Sequence, residues 1–405
     1  MQKYLNDRFG ITFPVFILSV VSFLNDVATD MIYPIIPIFL TQVIGAPVQV
    51  LGLIEGVAES TASFLKVAAG VISDKLERRK PFVVLGYVLS ATAKLFFGFA
   101  YSWHAVLGGK FADRLGKGTR TSARDAFIAE NSAPKDRGVV FGFHRGMDTL
   151  GAVFGPLIGI VLLSYFPNNF REIFLFSLIP TVFAIALLII FIKEKEKAPD
   201  TIRVTIPLRI MVKNLSYPFF AFLLVSAMFA IGNSSDAFLI LKANNLGYSL
   251  VMVVALFATF NFTYALLSVP AGIVADKVGP RNIMIVGFLV FGIIYLLFGY
   301  VQTPALLWVL FPLYGVYMAF TDGVGKAYIS NIIPHEQLGT AYGIHQTVVG
   351  FCAFFASIIA GFLWANVSSS APFIFGGSLA IAAAVLFLFV GPKGKVVIEA
   401  HHHAS

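Results

Sequence analysis

The sequence predicts an all-α membrane protein, with twelve transmembrane helices in two pseudo-symmetric six-helix bundles. Three observations lead there. The chain of 405 residues is 58% hydrophobic and only 12% charged, where soluble domains carry roughly 25% charged residues. Apolar stretches long enough to cross a bilayer, about 20 residues each, recur at 12–40, 48–73, 81–100, 103–130, 137–165, 170–193, 216–243, 250–275, 281–300, 304–332, 337–366 and 371–391. Short motifs of the first half return in the second.

Each element follows from the chain in order. The opening MQKYLNDRFGITFPVFILSVVSFL has no small-residue cleavage site, and its apolar pattern runs on past Asp26 and Asp30 to Leu40. It therefore predicts a retained first span rather than a signal peptide. An even number of spans puts both ends on one side. The connections after alternate spans carry Lys75, Arg78, Arg79, Lys80, Lys135, Arg137, Lys193, Lys277 and Arg281, whereas TQVIGAPVQ, GYS, VQTP and NVSSSA are uncharged. The positive-inside rule then predicts cytoplasmic termini in a multi-pass protein of the cytoplasmic (inner) membrane. The longest polar break, KEKEKAPDTIRVTIPLRIMVKN, divides the chain. The expected units are a first half (1–192), a cytoplasmic linker (193–215), a second half (216–392) and a tail (393–405) whose HHH resembles a tag remnant.

Several function classes drop out. The net charge of +8 is spread over loops and spans rather than gathered in a tail, which argues against a nucleic-acid partner. A lone cysteine, Cys352, supplies neither a disulfide framework nor a cysteine metal site. DRLGKGTR lacks the glycine spacing and preceding strand of a P-loop, so ATP is not expected to drive the protein. With no HExxH and no convincing serine–histidine–acid set, no enzyme activity, resident metal or cofactor is expected.

The repeats are specific. GVISDK at 70–75 returns as GIVADK at 272–277, DRLGK at 113–117 as DGVGK at 322–326, and GVVFGFH at 138–144 as GTAYGIH at 339–345, at offsets of 202, 209 and 201 residues. Parallel repeats of this kind place a substrate path between the halves near the bilayer midplane.

These motifs resemble the major facilitator superfamily. In GVISDKLERRKPF the match uses Gly70, Asp74, Lys75, Arg78 and Arg79, with Glu77 where the family has a second glycine; the second copy keeps Gly272, Asp276, Lys277, Gly279 and Arg281. The resemblance implies a conformational latch at these loops, with Arg114 matching the arginine of the family's fourth-span motif. Gly142, Gly151, Gly155, Pro156 and Gly159 on the fifth span resemble the motif of proton-coupled exporters, with Ile160 at its final glycine. Physically, glycines four apart let helices approach closely, and Pro156 bends a helix. The same stripe also reads as tight packing alone.

Ionisable groups are costly at bilayer depth and usually mark a pathway or relay. Lys110, Asp113, Lys117, Arg120 and Arg124 are separated by three, four, three and four residues, which sets them on one helix face. Asp26 and Asp30, Glu55 and Glu59, and Asp148 supply carboxyls at comparable depth and are the proton-coupling candidates. Lys110, Lys117, Arg120, Arg124 and Arg145 from the first half, with Asn233, Asp236, Asn261 and Lys326 from the second, are the substrate-binding candidates. Lys117 and Arg124 fit either an anionic substrate group or counter-ions for those carboxyls. Asp322 and Lys326 fit either an internal pair or a cavity wall. His144 and His345 occupy matching positions and fit packing, a proton switch or a metal ligand.

The sequence thus predicts a secondary transporter working by alternating access, a proton-coupled efflux system for a small organic solute, with an anionic solute among the candidates and a monomer in the bilayer as the family expectation. A lipophilic-cation, multidrug or metal-ion exporter is the alternative, and a membrane sensor or lipid flippase the reading from another class.

Overall fold

The computed structural model describes residues 11–75, 78–133, 136–167, 169–194, 215–334 and 337–390. Asp74 and Lys75 have their backbone in a helix, but their side chains lie outside the described set, as do most of the linker and the tail. Among the described residues twelve rods cross the molecule. They are α1 (Phe13–Val43), α2 (Val48–Lys75), α3 (Lys80–Gly98), α4 (Trp103–Glu130), α5 (Arg137–Tyr165) and α6 (Phe170–Phe191), then α7 (Tyr217–Asn245), α8 (Leu250–Val278), α9 (Pro280–Tyr300), α10 (Pro304–Ile332), α11 (Leu338–Asn366) and α12 (Ala371–Phe389). Ten are long and apolar enough to cross a membrane by length and composition. The other two, α2 and α4, are 28 residues long but carry too many charges. Those charges turn into the bundle, so the two helices share its architecture without an apolar surface all round.

Within the first half α1 packs on α5 and α6, α3 on α4, and α4 on α2; in the second, α8 packs on α10, α9 on α10 and α12, and α7 on α11 and α12. The halves meet along α2 with α11 and along α5 with α8. Near the start of α2 this seam is dry and close. A Cβ on Gly56 would stand 2.7 Å from the Phe354 carbonyl, and Gly361 Cα lies 3.1 Å from where a Gly52 Cβ would be. Small residues are what let two backbones touch in a bilayer.

Each half opens with a broken helix, and the breaks correspond. In α1 the helix is interrupted at 33–35, because Pro34 has no N–H for the Asp30 carbonyl and its ring crowds the preceding turn. In α7 the interruption falls at 233–236, over Asn233, Ser234, Ser235 and Asp236, short polar side chains that compete for the backbone. The Ser235 hydroxyl takes the Ala237 N–H at 3.3 Å.

The interiors differ in kind. The second half is filled by rings: Phe229 stacks on Phe288 at 4.1 Å, Phe291 on Tyr295 at 4.1 Å, and Phe291 meets Tyr317 edge-on at 4.7 Å. The first half buries Lys94, Lys110, Arg120, Glu55 and Asp148 instead.

Candidate functional site: a charged cavity between the halves

A cavity of about 590 Å³ lies between the two halves. Its floor is formed at the two helix breaks, by Tyr33 and Asp236 with Phe257; its walls carry Asp26, Asp30, Glu59, Asp113, Arg114, Lys117, Arg120, Arg124, Arg145, Asp148, Asn261, Asp322 and Lys326. Beyond the floor the halves are sealed. Tyr33 stacks on Phe257 at 5.3 Å, the Ser235 hydroxyl donates to Glu55 at 3.0 Å, and Gln42 donates to Asn244 at 2.6 Å. Toward the face that carries both ends of the described chain, one polar bridge crosses between the halves among the described residues. Arg145 on α5 reaches Asp322 at 2.9 Å and Tyr264 at 2.8 Å, and Tyr264 donates to Asp322 at 2.7 Å. The cavity is therefore closed at one face and open at the other.

Most predicted acids already have a cation. Arg114 holds Glu59 at 2.8 Å, and Arg124 reaches Asp148 at 3.5 Å and Ser22 at 2.7 Å. Lys110 holds Glu55 at 2.7 Å and lies 4.6 Å from the centre of the Tyr33 ring. This last pair is buried outside the main cavity, between α2 and α4. Asp113 accepts from Ser90 at 3.0 Å, and the same hydroxyl accepts from Arg120 at 2.7 Å, with the guanidinium 4.8 Å from the Tyr87 ring. Asp236 accepts from Tyr314 at 2.7 Å.

Asp26 and Asp30 differ. Both line the cavity, and neither forms an ion pair among the described residues; Asp26 takes one long bond from Asn25 at 3.4 Å. Their position is set by the glycine stripe of α5. A Cβ on Gly151 would stand 2.8 Å from the Asp26 Cβ, and one on Gly155 3.0 Å from the Asp30 Cβ and 2.8 Å from the Val27 carbonyl. Gly159 lies against the Met31 carbonyl in the same way, whereas Gly142 meets nothing within 4 Å.

The structure sorts the remaining expected residues. The α4 stripe faces the cavity from Asp113 to Arg124, with Lys110 turned away from it. Asn233 lies off the cavity and donates to Tyr317 at 2.9 Å. Arg114, matched to the latch by motif, stands in the cavity wall instead. Of the two readings of Asp322 and Lys326, an internal pair is not formed: Asp322 is taken by Arg145, and Lys326 lines the cavity. His144 bonds Ser19 at 3.1 Å, and His345 stacks on Phe222 at 5.3 Å. Of the latch residues, Arg79 binds Glu130 at 3.3 Å and Ser73 at 2.9 Å, Arg281 donates to the Phe387 carbonyl at 2.7 Å, and Arg78, Asp276 and Lys277 are exposed. Sequence reasoning gave no role to Lys66, Tyr264 or Gln346, all of which line the cavity. For Lys66 a signal existed, since it lies two turns after Glu59.

Comparison with known proteins agrees with this geometry. The sequence matches the Major Facilitator Superfamily over residues 18–258 and again over 220–403. The chain belongs to the Major Facilitator Superfamily. An uncharacterized MFS-type transporter, MJ1317 of Methanocaldococcus jannaschii, is 37% identical over 391 residues, covering 95% of this chain and 96% of that protein. The multidrug resistance protein MdtH of an Enterobacter species is 28% identical over 135 residues, 33% of each chain. Among solved structures, the nucleoside transporter NupG superposes with a TM-score of 0.76 at 12% identity, covering 94% of this chain and 99% of that one. A D-xylose-proton symporter superposes at 0.73 and 15%, covering 94% and 97%. The protein is a multi-pass MFS transporter, and the cavity between its halves is where such a fold holds a small molecule.

Proposed function

We propose that this MFS transporter exports a small organic solute bearing negative charge from the cytoplasm in exchange for protons. The observation that carries the reading is the freedom of Asp26 and Asp30. Among the cavity acids they alone form neither an ion pair nor a hydroxyl hydrogen bond among the described residues, so their protons can exchange with cavity water. Asp30 stands one turn and Asp26 two turns before the Pro34 break, and both rest on the α5 glycine stripe. A change of charge there acts directly on a hinge of α1. Protons and solute drive transport only through different affinities for the two open states. Lys117 lines the cavity with the same acids.

Three observations support the direction: basic connections on the open face, which by the positive-inside rule favour a cytoplasmic side; the exporter-like stripe; and the partial likeness to a multidrug resistance protein. In this reading the protein works as a monomer in the cytoplasmic membrane, with both termini inside. In proteoliposomes a pH gradient should then drive organic-acid movement against its own gradient. Asp26→Asn with Asp30→Asn should abolish that drive while leaving solute counterflow. Full pH-driven accumulation by the double variant would sink the assignment. The same two unpaired carboxylates favour a second reading, lipophilic-cation export, which the assay separates by using ethidium in place of organic acids.

A further inference from the structure

Three cavity cations make no ion pair or side-chain hydrogen bond among the described residues: Lys66 on α2, Lys117 on α4 and Lys326 on α10. Lys117 stands among Glu59 and Asp26, so its charge already has carboxylates nearby. Lys66 and Lys326 come from different halves, and α11 fixes how they relate. Gly350 of α11 abuts the Ser63 side chain of α2. One turn from that contact toward the open face, on each of these antiparallel helices, stand Gln346 and Lys66. The Tyr342 hydroxyl, one turn further along α11, donates to the Lys326 carbonyl at 3.0 Å. Gln346 thus lies between the two lysines, and all three line the cavity.

The acids close by are engaged. Asp322, one turn from Lys326, is held by Arg145 at 2.9 Å and Tyr264 at 2.7 Å. Asp125, which also faces Lys66, is held by Arg124 at 3.2 Å. Lys117 and Arg124, both cations, line the same cavity. The cluster presents two ammonium groups and one amide at the cavity seam, and the carboxylates nearby, Asp322 and Asp125, each already bind an arginine. Two solvated lysines would be unremarkable on an outer surface. Here both line the cavity between the halves, one from each half.

We propose that Lys66, Lys326 and Gln346 form an anion subsite, shared by the two halves, for the carboxylate or phosphate head of the transported solute. The subsite rests on the export reading above and gives it a substrate class. Ammonium groups act as point charges without the fixed fork of a guanidinium, so the site accepts either head.

The test is thermal unfolding of the detergent-purified full chain with succinate or inorganic phosphate, at constant ionic strength set by sodium chloride. The wild type should be stabilised saturably by at least one probe. Lys66→Gln and Lys326→Gln should each weaken apparent affinity about tenfold, which corresponds to about 1.4 kcal/mol. Lys66→Arg should restore most of it, and Lys193→Gln, an exposed charge outside the cavity, should change nothing. No stabilisation of the wild type beyond that of chloride overturns the proposal, as does wild-type affinity in both glutamine variants. If those variants bind normally while Asp26→Asn with Asp30→Asn abolishes pH drive, the subsite fails and the export reading stands. If anion binding is lost in the lysine variants while pH drive survives the aspartate changes, the subsite stands and the proton coupling fails. A glutamine variant that elutes aggregated is replaced by the pair Lys66→Arg and Lys326→Arg, which should bind both probes within threefold of wild type; tenfold loss in both would overturn the ammonium subsite.

Discussion

Replacing Lys110 by methionine should destabilise the first half far more than replacing Lys110 and Glu55 together. The Lys110 ammonium stands 2.7 Å from the Glu55 carboxylate, with side chains 4% and 0% exposed. Glu55 has one further donor, the Ser235 hydroxyl at 3.0 Å. Lys110→Met keeps the length of the side chain but leaves a carboxylate at full burial with a single neutral partner. Breaking a buried pair on one side costs about 3–5 kcal/mol, whereas removing both charges is often neutral. For a cooperative unit of about 200 residues, 1 kcal/mol moves the midpoint by about 2–4 °C, so Lys110→Met should lower it by on the order of 10 °C. Lys110→Met with Glu55→Gln should recover most of that loss, because the amide can still accept from Ser235. The assay is thermal unfolding in one detergent for the wild type, both single variants and the double, giving the coupling as a double-mutant cycle. Four equal midpoints would show that the ion pair does no structural work.

Three more outcomes follow from named contacts. Gly155→Val puts a branched side chain where even a Cβ stands 2.8 Å from the Val27 carbonyl and 2.9 Å from the Met31 N; it should cost about 1–3 kcal/mol and reduce pH-driven transport, while Gly142→Ala leaves both intact, as unfolding and vesicle assays would show. Arg145→Gln removes a bridge whose ends are 59% and 42% exposed, so stability should move by less than about 1 kcal/mol, while distances between spin labels on the open ends of α5 and α10 broaden toward wider states. Gln42→Cys with Asn244→Cys, joined by a short thiol-reactive cross-linker across a contact of 2.6 Å, should stop transport until reductant is added; unchanged transport after cross-linking would mean the far seal need not open.

The parts of this structure that depend on one chain segment were legible beforehand, and those that depend on two were not. The rods were visible because an apolar run must be long enough to hide its own backbone in lipid. The division into halves was visible because GVISDK and GIVADK, and the histidines at 144 and 345, repeat at a fixed offset. The stripe on α4 was visible from helical spacing, and four of its five residues do face the cavity. Spacing says which residues share a face and is silent on what stands opposite. Glu59 and Glu55 are one turn apart on α2, yet one faces Arg114 in the cavity wall and the other Lys110 behind it. Arg114 was assigned to the latch by resemblance to a fourth-span motif, which likewise says nothing of what stands opposite it. Asp322 and Lys326 share a face, yet Arg145 from the other half claims the acid. Lys66 and Gln346 gain meaning only when α2 and α11 are brought together.

On the export reading proposed above, the distribution of charge would give the transport cycle a direction. Closing the open face brings Lys66 and Lys326 together with water squeezed out between them. At about 6 Å and an effective dielectric of about 20, two like charges repel by about 3 kcal/mol, a bias of about a hundredfold. An empty carrier therefore rests open toward the basic face, the state seen here, and resists closing. An anion held between the lysines removes the repulsion and adds attraction, so the loaded carrier closes and presents its solute to the far side. After release the repulsion returns and favours reopening of the basic face, with protons on Asp26 and Asp30 offsetting their charge as the cavity narrows. On this logic Lys66→Gln with Lys326→Gln should close the basic face without ligand. A cysteine placed at Gly343, in the open end of α11, should then become slower to alkylate in the double variant than in the wild type. Equal rates in the two proteins would show that something other than this lysine pair holds the cavity open.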